Sequence, residues 1–345
     1  MRLGLSLGYS GRHVDLPLER IQLAEQLGFH AVWTAEAYGS DAVTPLAFIA
    51  ARTERIKLGT AIIQLAARSP ANAAMSMATL DTLAGGNRVI CGIGVSGPQI
   101  VEGWYGQPWG RPYYRVKDYV AIIRKIWARE APVSHEGREI SLPYTGEGAL
   151  GVGKPLKSIL HMNPAIPIWL GTGSDTMIRL TGEIADGWFP MGFAPRMMPA
   201  FKALLAEGVA RAGNGKRVED IEIEGRAVVN ITADVKSALD AQKPNRALYI
   251  GGMGHRHKNF HKDAMIRRGY AQEAERVQEL FLAGHKQEAA AAIPDEFIDE
   301  ESLVGPVERI TQRYKAWEDC GITGLTLRTQ QDDALRLLAK LARNN

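Results

Sequence analysis

Cysteine is almost missing from this chain. Only Cys91 and Cys320 occur in 345 residues, and they form no CxxC pair. The pair gives no support to a disulfide framework or a thiolate zinc site, and reads as two reduced packing residues. Long apolar runs are absent too, since no stretch approaches the ~20 residues that span a bilayer. The opening MRLGLSLG reads as a strand, with no apolar signal core or cleavage site, so a cytoplasmic protein with no membrane partner is expected. Charge is not skewed either: 41 Lys and Arg stand against 38 Asp and Glu, a net charge of +3. That balance argues against a nucleic-acid partner. Chain order singles out no Ser-His-Asp or Cys-His set, which suits chemistry on a small molecule carried by a bound cofactor. No metal is expected, because His255, His257 and His261 are spaced i, i+2, i+6 and make no tidy ligand face. That stretch reads either as a basic lid over an anionic group or as a solvated loop.

Two glycine motifs invite nucleotide readings that their surroundings oppose. GIGVSG at 92–97 matches G-x-G-x-x-G at a strand end, with Asp118 downstream. A dinucleotide site needs a helix to open at the glycines. Here Pro98, Pro108 and Pro112 follow, and the helix is expected only near residue 113. Residues 148–154 spell G-x-x-x-x-G-K, but Pro155 stands where a P-loop needs Ser or Thr for magnesium. Lys154 and Lys157 on this loop either meet an anion or are simply solvated.

What the chain does have is alternation. Strand-like runs at 2–9, 31–38, 57–64, 89–96, 166–173, 188–193, 224–232 and 321–329 are separated by helical runs. Eight such units predict an α/β fold, a (β/α)8 TIM barrel in one domain over 1–345. The competitor is an open doubly wound sheet, which would leave sheet edges exposed. Loops at 97–111 and 136–164 and an insertion at about 242–304 exceed a minimal barrel; the insertion reads as a lid or an oligomer contact. Barrel active sites gather at the strands' C-terminal ends. There stand Glu36, residues 61–64, 94–97 and 171–174. Glu36 is either a working acid or a buried one paired to a neighbour. The glycines either admit a flat ring or phosphate, or simply shape turns. Trp104, Tyr105, Trp109, Tyr113 and Tyr114 either wall an apolar pocket or pack the barrel.

The ordered set AVWTAEAYGSD (31–41), LGTAIIQLAARSP (58–70), GIGVSGPQIVEGWYG (92–106), GKPLKSILH (153–161), GEIADGW (182–188), LYIGGMG (248–254) and FIDEESLVGPVERI (297–310) resembles the luciferase-like monooxygenase superfamily. Within it, the last three blocks resemble the actinobacterial coenzyme F420-dependent oxidoreductases. The resemblance covers nearly the whole chain. It implies a bacterial-luciferase-like barrel with F420 at its mouth, hydride transfer at the deazaflavin C5, and a homodimer or higher homo-oligomer. It also implies a non-prolyl cis peptide at Ala61-Ile62, and ring and tail contacts from Glu36, Ala61, Ile62, Gln64, Gly94, Val95, Ser96, Gly173 and Ser174. Relatives often carry Asp-His where this chain has Glu36-Ala37, and an acid where it has Gly97. The proton donor is therefore sought in Glu36, then Glu102 and His255. An FMN-dependent monooxygenase and a non-catalytic F420- or flavin-binding protein are the alternatives.

Overall fold

The computed structural model describes residues 1–256 and 258–343. Its strands are β1 (Arg2–Gly8), β2 (Ala31–Thr34), β3 (Lys57–Thr60), β4 (Ile63–Gln64), β5 (Val89–Gly94), β6 (His135–Glu136), β7 (Ser141–Leu142), β8 (Ile168–Thr172), β9 (Gly187–Pro190), β10 (Glu222–Ile231), β11 (Ser302–Gly305) and β12 (Gly324–Arg328). Parallel pairing runs β1-β2-β3-β5-β8-β9-β10-β12 and returns to β1, which closes a (β/α)8 barrel. The open-sheet alternative is thereby excluded. β6 and β7 form a separate antiparallel hairpin. β11 pairs with the C-terminal half of the long β10, from Val228↔Ser302 to Ile231↔Gly305.

Several expectations need correction. The run at 57–64 is not one strand: it leaves the sheet after Thr60 and returns as β4, with a cis peptide bond at Ala61-Ile62. The loop after β5 is not structureless, because a short helix, Pro98–Gly103, starts directly behind the glycines with Pro98 in its first turn. Proline is tolerated there since a first-turn amide has no intrahelical partner. The dinucleotide reading thus fails on the closed barrel and not on a missing helix. Asp118, the acid that fitted that reading, fastens the hairpin, accepting from Glu139 N at 2.7 Å and Ile140 N at 3.0 Å. The 242–304 insertion contains β11 and several helices, among them Phe260–Arg267 and Ala271–Leu282. These helices bury Ile250, Met265, Val277, Leu280 and Phe297 in a core of their own. Gly251 and Gly252 in it serve packing: a Cβ on Gly251 would lie 2.3 Å from Phe281 Cβ.

Strand alternation sorts side chains between the helices and the barrel interior. Leu5, Val32, Leu58, Ile93, Leu170, Val229, Leu325 and Leu327 join the core beneath the helices. The intervening residues point inward, and they divide the interior in two. On one side Trp33, Trp169 and Phe189 pack in tilted and edge-to-face pairs with ring centroids 5.0–5.2 Å apart. Gly59 faces Trp33 and has no room for a side chain, since its Cβ would lie 2.0 Å from the indole. On the other side, β10 and β12 send in Glu224, Arg226, Thr326 and Arg328. Glu224 is buried and accepts from Thr326 Oγ1 at 2.6 Å.

Burial lifts the Glu224 carboxyl from its ordinary 4.5 to about 7, opposed by the Thr326 hydrogen bond, Arg2 and Arg226 and assisted by Glu222. The folded chain thus keeps a proton that the unfolded chain has released. The stability this provides is complete below about pH 4.5 and is lost as pH rises through about 7. In thermal unfolding between pH 5 and 8, wild type should lose several degrees relative to Glu224→Gln, which has no such proton. A difference that stays constant with pH would place the titration elsewhere.

Candidate active site

The C-terminal mouth is assembled around one buried carboxylate. Glu36 lies just past β2, 6% exposed. Its Oε1 accepts from Gln64 N at 2.9 Å and its Oε2 from Ala42 N at 3.0 Å. Arg68 Nη1 donates to both oxygens, at 2.7 and 2.9 Å. Gln64 Nε2 returns a bond to Glu36 O at 2.8 Å. The acid therefore joins the end of β2, the start of the helix Val43–Ala50, β4 and the turn into the helix Pro70–Leu83. Ser69 caps that last helix through Asn72 N at 3.2 Å. With every strong acceptor direction used, Glu36 is a positioning group in this arrangement.

The break between β3 and β4 thrusts Ile62 into the mouth. Its side chain rests on two glycines: a Cβ on Gly94 would lie 2.7 Å from Ile62 Cδ1, and one on Gly171 3.0 Å from its Cγ2. The glycines thus make room first for Ile62, which stays half-buried and presents an apolar shelf with Ala61. Beside it, Gln64 Oε1 is buried and finds no hydrogen-bond partner among the described residues. Val95 and Ser96 continue the rim, and Ser96 holds a left-handed backbone (φ 59), a conformation that clusters at working sites.

The opposite wall was not foreseen. β10 lies four strands from β3 in either direction, and β12 four strands from β5. Arg226 and Arg328 project inward from this wall as diagonal neighbours, in the register Arg226↔Thr326 and Val228↔Arg328. Arg226 is exposed on the inward face of β10, and desolvation by the surrounding protein, then the charges of Arg246 and Arg328, lower its guanidinium from the ordinary value. Arg328 is likewise exposed at the inner end of its strand. Above them Tyr9 and Tyr249 bring their hydroxyls to 3.2 Å, and the His261 ring stands 4.8 Å from that of Tyr249. Burial, then the charge of Arg246, pushes His261 down to about 4, so it is neutral at physiological pH.

The insertion roofs this space. Arg267 donates to Gly173 O and pairs with Asp175 at 2.9 Å, and Phe260 stacks on Trp109 at 6.2 Å. Gly173 is therefore tied to the roof, while Ser174 is exposed at the N-cap of Asp175–Ile184, its side chain making no cap bond. Glu102 is exposed on the short helix and accepts from Trp109 N at 3.3 Å, and His255 is exposed on the insertion. Neither joins the interior cluster. His257 lies outside the described residues. The expected aromatic wall divides: Trp109 and Tyr105 reach the mouth, Trp104 is exposed, and Tyr114 carries Arg138 over its ring at 4.5 Å. Lys157 turns back to Glu130 O at 3.2 Å. A cleft of about 490 Å³ at the other end, among Met1, His30, Lys57 and Arg343, lies at the strands' N-terminal side. Barrels use that face for stability.

Fold and site define a (β/α)8 enzyme with an apolar shelf facing a cationic wall. The model of the luciferase-like monooxygenase family matches residues 2–324, and the chain belongs to that family. It is 45% identical over 99% of both chains to a Mycobacterium tuberculosis protein provisionally named a coenzyme F420-dependent oxidoreductase. Among solved structures, it is similar to the coenzyme F420-dependent tetrahydromethanopterin reductase of Methanopyrus kandleri (TM-score 0.78, 22% identity, 98% of this chain and 97% of that one). It is also similar to an F420-dependent secondary alcohol dehydrogenase (TM-score 0.75, 17% identity, 99% and 97%).

Removing one partner of a buried ion pair strands the other charge. Glu36→Ala and Arg68→Met should each lower unfolding stability by about 3 kcal/mol, and the double variant should lose less than the two together. Strict additivity in denaturant titrations would show that the pair is not coupled.

Proposed function

We propose that the protein binds coenzyme F420 at the barrel mouth and transfers a hydride between it and a small organic substrate. The observation that carries this is the Ile62 shelf on its two glycines, with the unpartnered Gln64 Oε1 beside it. A flat ring system with an N–H at its edge fits both features. The relative at 45% identity, named for F420, supports the reading. When bound, the deazaflavin supplies a two-electron hydride carrier. Ala61, Ile62 and Gln64 would hold the ring with Gly94, Val95 and Ser96, and Gly173 and Ser174 would meet the tail. Glu36 holds this wall in place through Arg68 and the Gln64 backbone. The insertion keeps water from the space between the walls, where orientation contributes most of the rate. The proton falls to the Tyr9–Tyr249 hydroxyl pair in this reading, in place of Glu36, Glu102 or His255.

Fluorescence titration of the protein with oxidised F420 and with FMN, side by side, tests the assignment. Selective F420 binding is expected, weakened at least tenfold by Gly94→Val, which pushes Ile62 off its seat. Selective FMN binding would instead favour a monooxygenase. F420 binding without turnover on any oxidant or reductant would leave a binding protein.

Tyr249→Phe should lower kcat about 100-fold with F420 affinity unchanged. Unaltered kcat would remove the hydroxyl pair from the proton path.

A further inference from the structure

Buried arginines normally meet a carboxylate, because an uncompensated charge in a protein interior is costly. Elsewhere in this chain buried arginines are hydrogen-bonded, either to carboxylates or, for Arg88, to the carbonyls of Thr53, Ile56 and Ala84 and the Thr53 hydroxyl. Arg68 has Glu36, the fully buried Arg268 has Glu300 and Glu301, and Arg246 has Glu301. Arg226 and Arg328 differ: they face the barrel interior, stay exposed to solvent and are not saturated. Among the described residues, neither has a hydrogen-bond or ion-pair partner. Glu224, two residues before Arg226 on the same face, gives its hydrogen bond to Thr326 and sits in the floor below. Above stand the Tyr9 and Tyr249 hydroxyls, a neutral imidazole and a further cation, Arg246, itself paired to Glu301. Two guanidinium groups therefore face the solvent-open cavity of the barrel mouth without a hydrogen-bonded carboxylate, and the Glu224 charge reaches Arg226 only from the floor. They lie across the barrel from the Ile62 shelf.

We propose that Arg226 and Arg328 form an oxyanion subsite, which takes a carboxylate or phosphate group of the substrate and sets its reactive atom against the shelf. Planar guanidinium groups pair bidentately with both oxyanions, which gives orientation as well as charge. The hydroxyls of Tyr9 and Tyr249 add donors at the rim of the same cavity. Substrates would then be anionic at one end and reducible or oxidisable at the other. The subsite rests on the hydride-transfer reading only for what occupies the shelf.

The test compares wild type, Arg226→Met, Arg328→Gln and, as a control, Lys157→Gln. Inorganic phosphate and propionate are titrated by calorimetry and by thermal shift, and F420 and its tail-less deazaflavin by fluorescence. Without anion, Arg226→Met should melt above wild type, since it removes an uncompensated charge. Wild type and Lys157→Gln should be stabilised by at least one anion, and either arginine variant should bind it at least tenfold more weakly, with F420 affinity unchanged. Which anion binds tells carboxylate from phosphate. Two results overturn the proposal. One is wild type that binds neither anion at tens of millimolar. The other is a tenfold loss of F420 affinity in the arginine variants with the tail-less ring unaffected, which would give the arginines to the cofactor's tail. If wild type binds no F420 but the anion results hold, the subsite stands and the cofactor reading fails.

Discussion

The Glu36–Arg68 pair is the fastening on which the mouth depends. The chain leaves the sheet after Thr60 and resumes at Ile63, and this detour keeps only two backbone bonds to the β2 side, Ala61 N to Thr34 O at 2.6 Å and Glu36 N to Ile62 O at 3.3 Å. Something must hold the returning strand at a fixed distance from β2. Glu36 does so by accepting the Gln64 amide, while the Gln64 side chain closes the ring on the Glu36 carbonyl. Arg68 supplies the compensating charge, and Tyr119 donates to its carbonyl at 3.1 Å, linking the next helix. The shelf at Ile62 is therefore held from below by glycines and from the side by a charged clamp. A pocket wall with this support needs no rearrangement to receive a rigid ring.

The barrel interior then has two unlike halves for one reason. Period-two alternation sends every second residue inward, and closure makes those residues neighbours. Trp33, Trp169 and Phe189 fill one side so fully that glycine is required opposite them. The side made by β10, β12 and β1 is polar, with Arg226 and Arg328 open to solvent. An interior that only had to be stable would place apolar side chains there, since a buried ion is more costly than a packed hydrocarbon. Two inward-facing arginines without a hydrogen-bonded carboxylate thus depart from what packing alone would choose, a departure that natural chains make at functional sites.

Much of this was legible in the sequence. The eight strands were readable because apolar alternation survives in short runs such as LGLSLG and LTLR. The shelf and its glycines were found through resemblance at the ends of the third to fifth strands. Glu36 was visible as an acid at a strand end, but its partner is 32 residues away, and only the fold brings Arg68 to it. Pro98 was taken as a breaker, although at a first helical turn it starts a helix. β11 was hidden by its four-residue length inside an insertion. Arg226 and Arg328 gave no local signal at all, because a charged residue in a strand reads as solvent-facing until the sheet closes on itself.

The insertion explains why that closure matters for chemistry. Its core is its own, so it can fold as a cap without drawing on the barrel's side chains. Its polar contacts with the barrel fall on strand ends, Tyr249 on Tyr9 and Arg267 on Gly173 and Asp175, and on flanking helices, where Arg196 pairs with Glu300 and Arg309 and Arg313 pair with Asp299. A roof joined this way covers both walls at once and lowers the dielectric between them. Under the proposed reading, that setting would make the arginine pair attract an anion more strongly than an open surface does. The same enclosure would keep water from a hydride donor lying on the shelf. Charge at one wall, an apolar seat at the other and a cap above would, in the proposed function, together orient a polar-ended substrate across a flat ring, and that chemistry calls for no protein nucleophile.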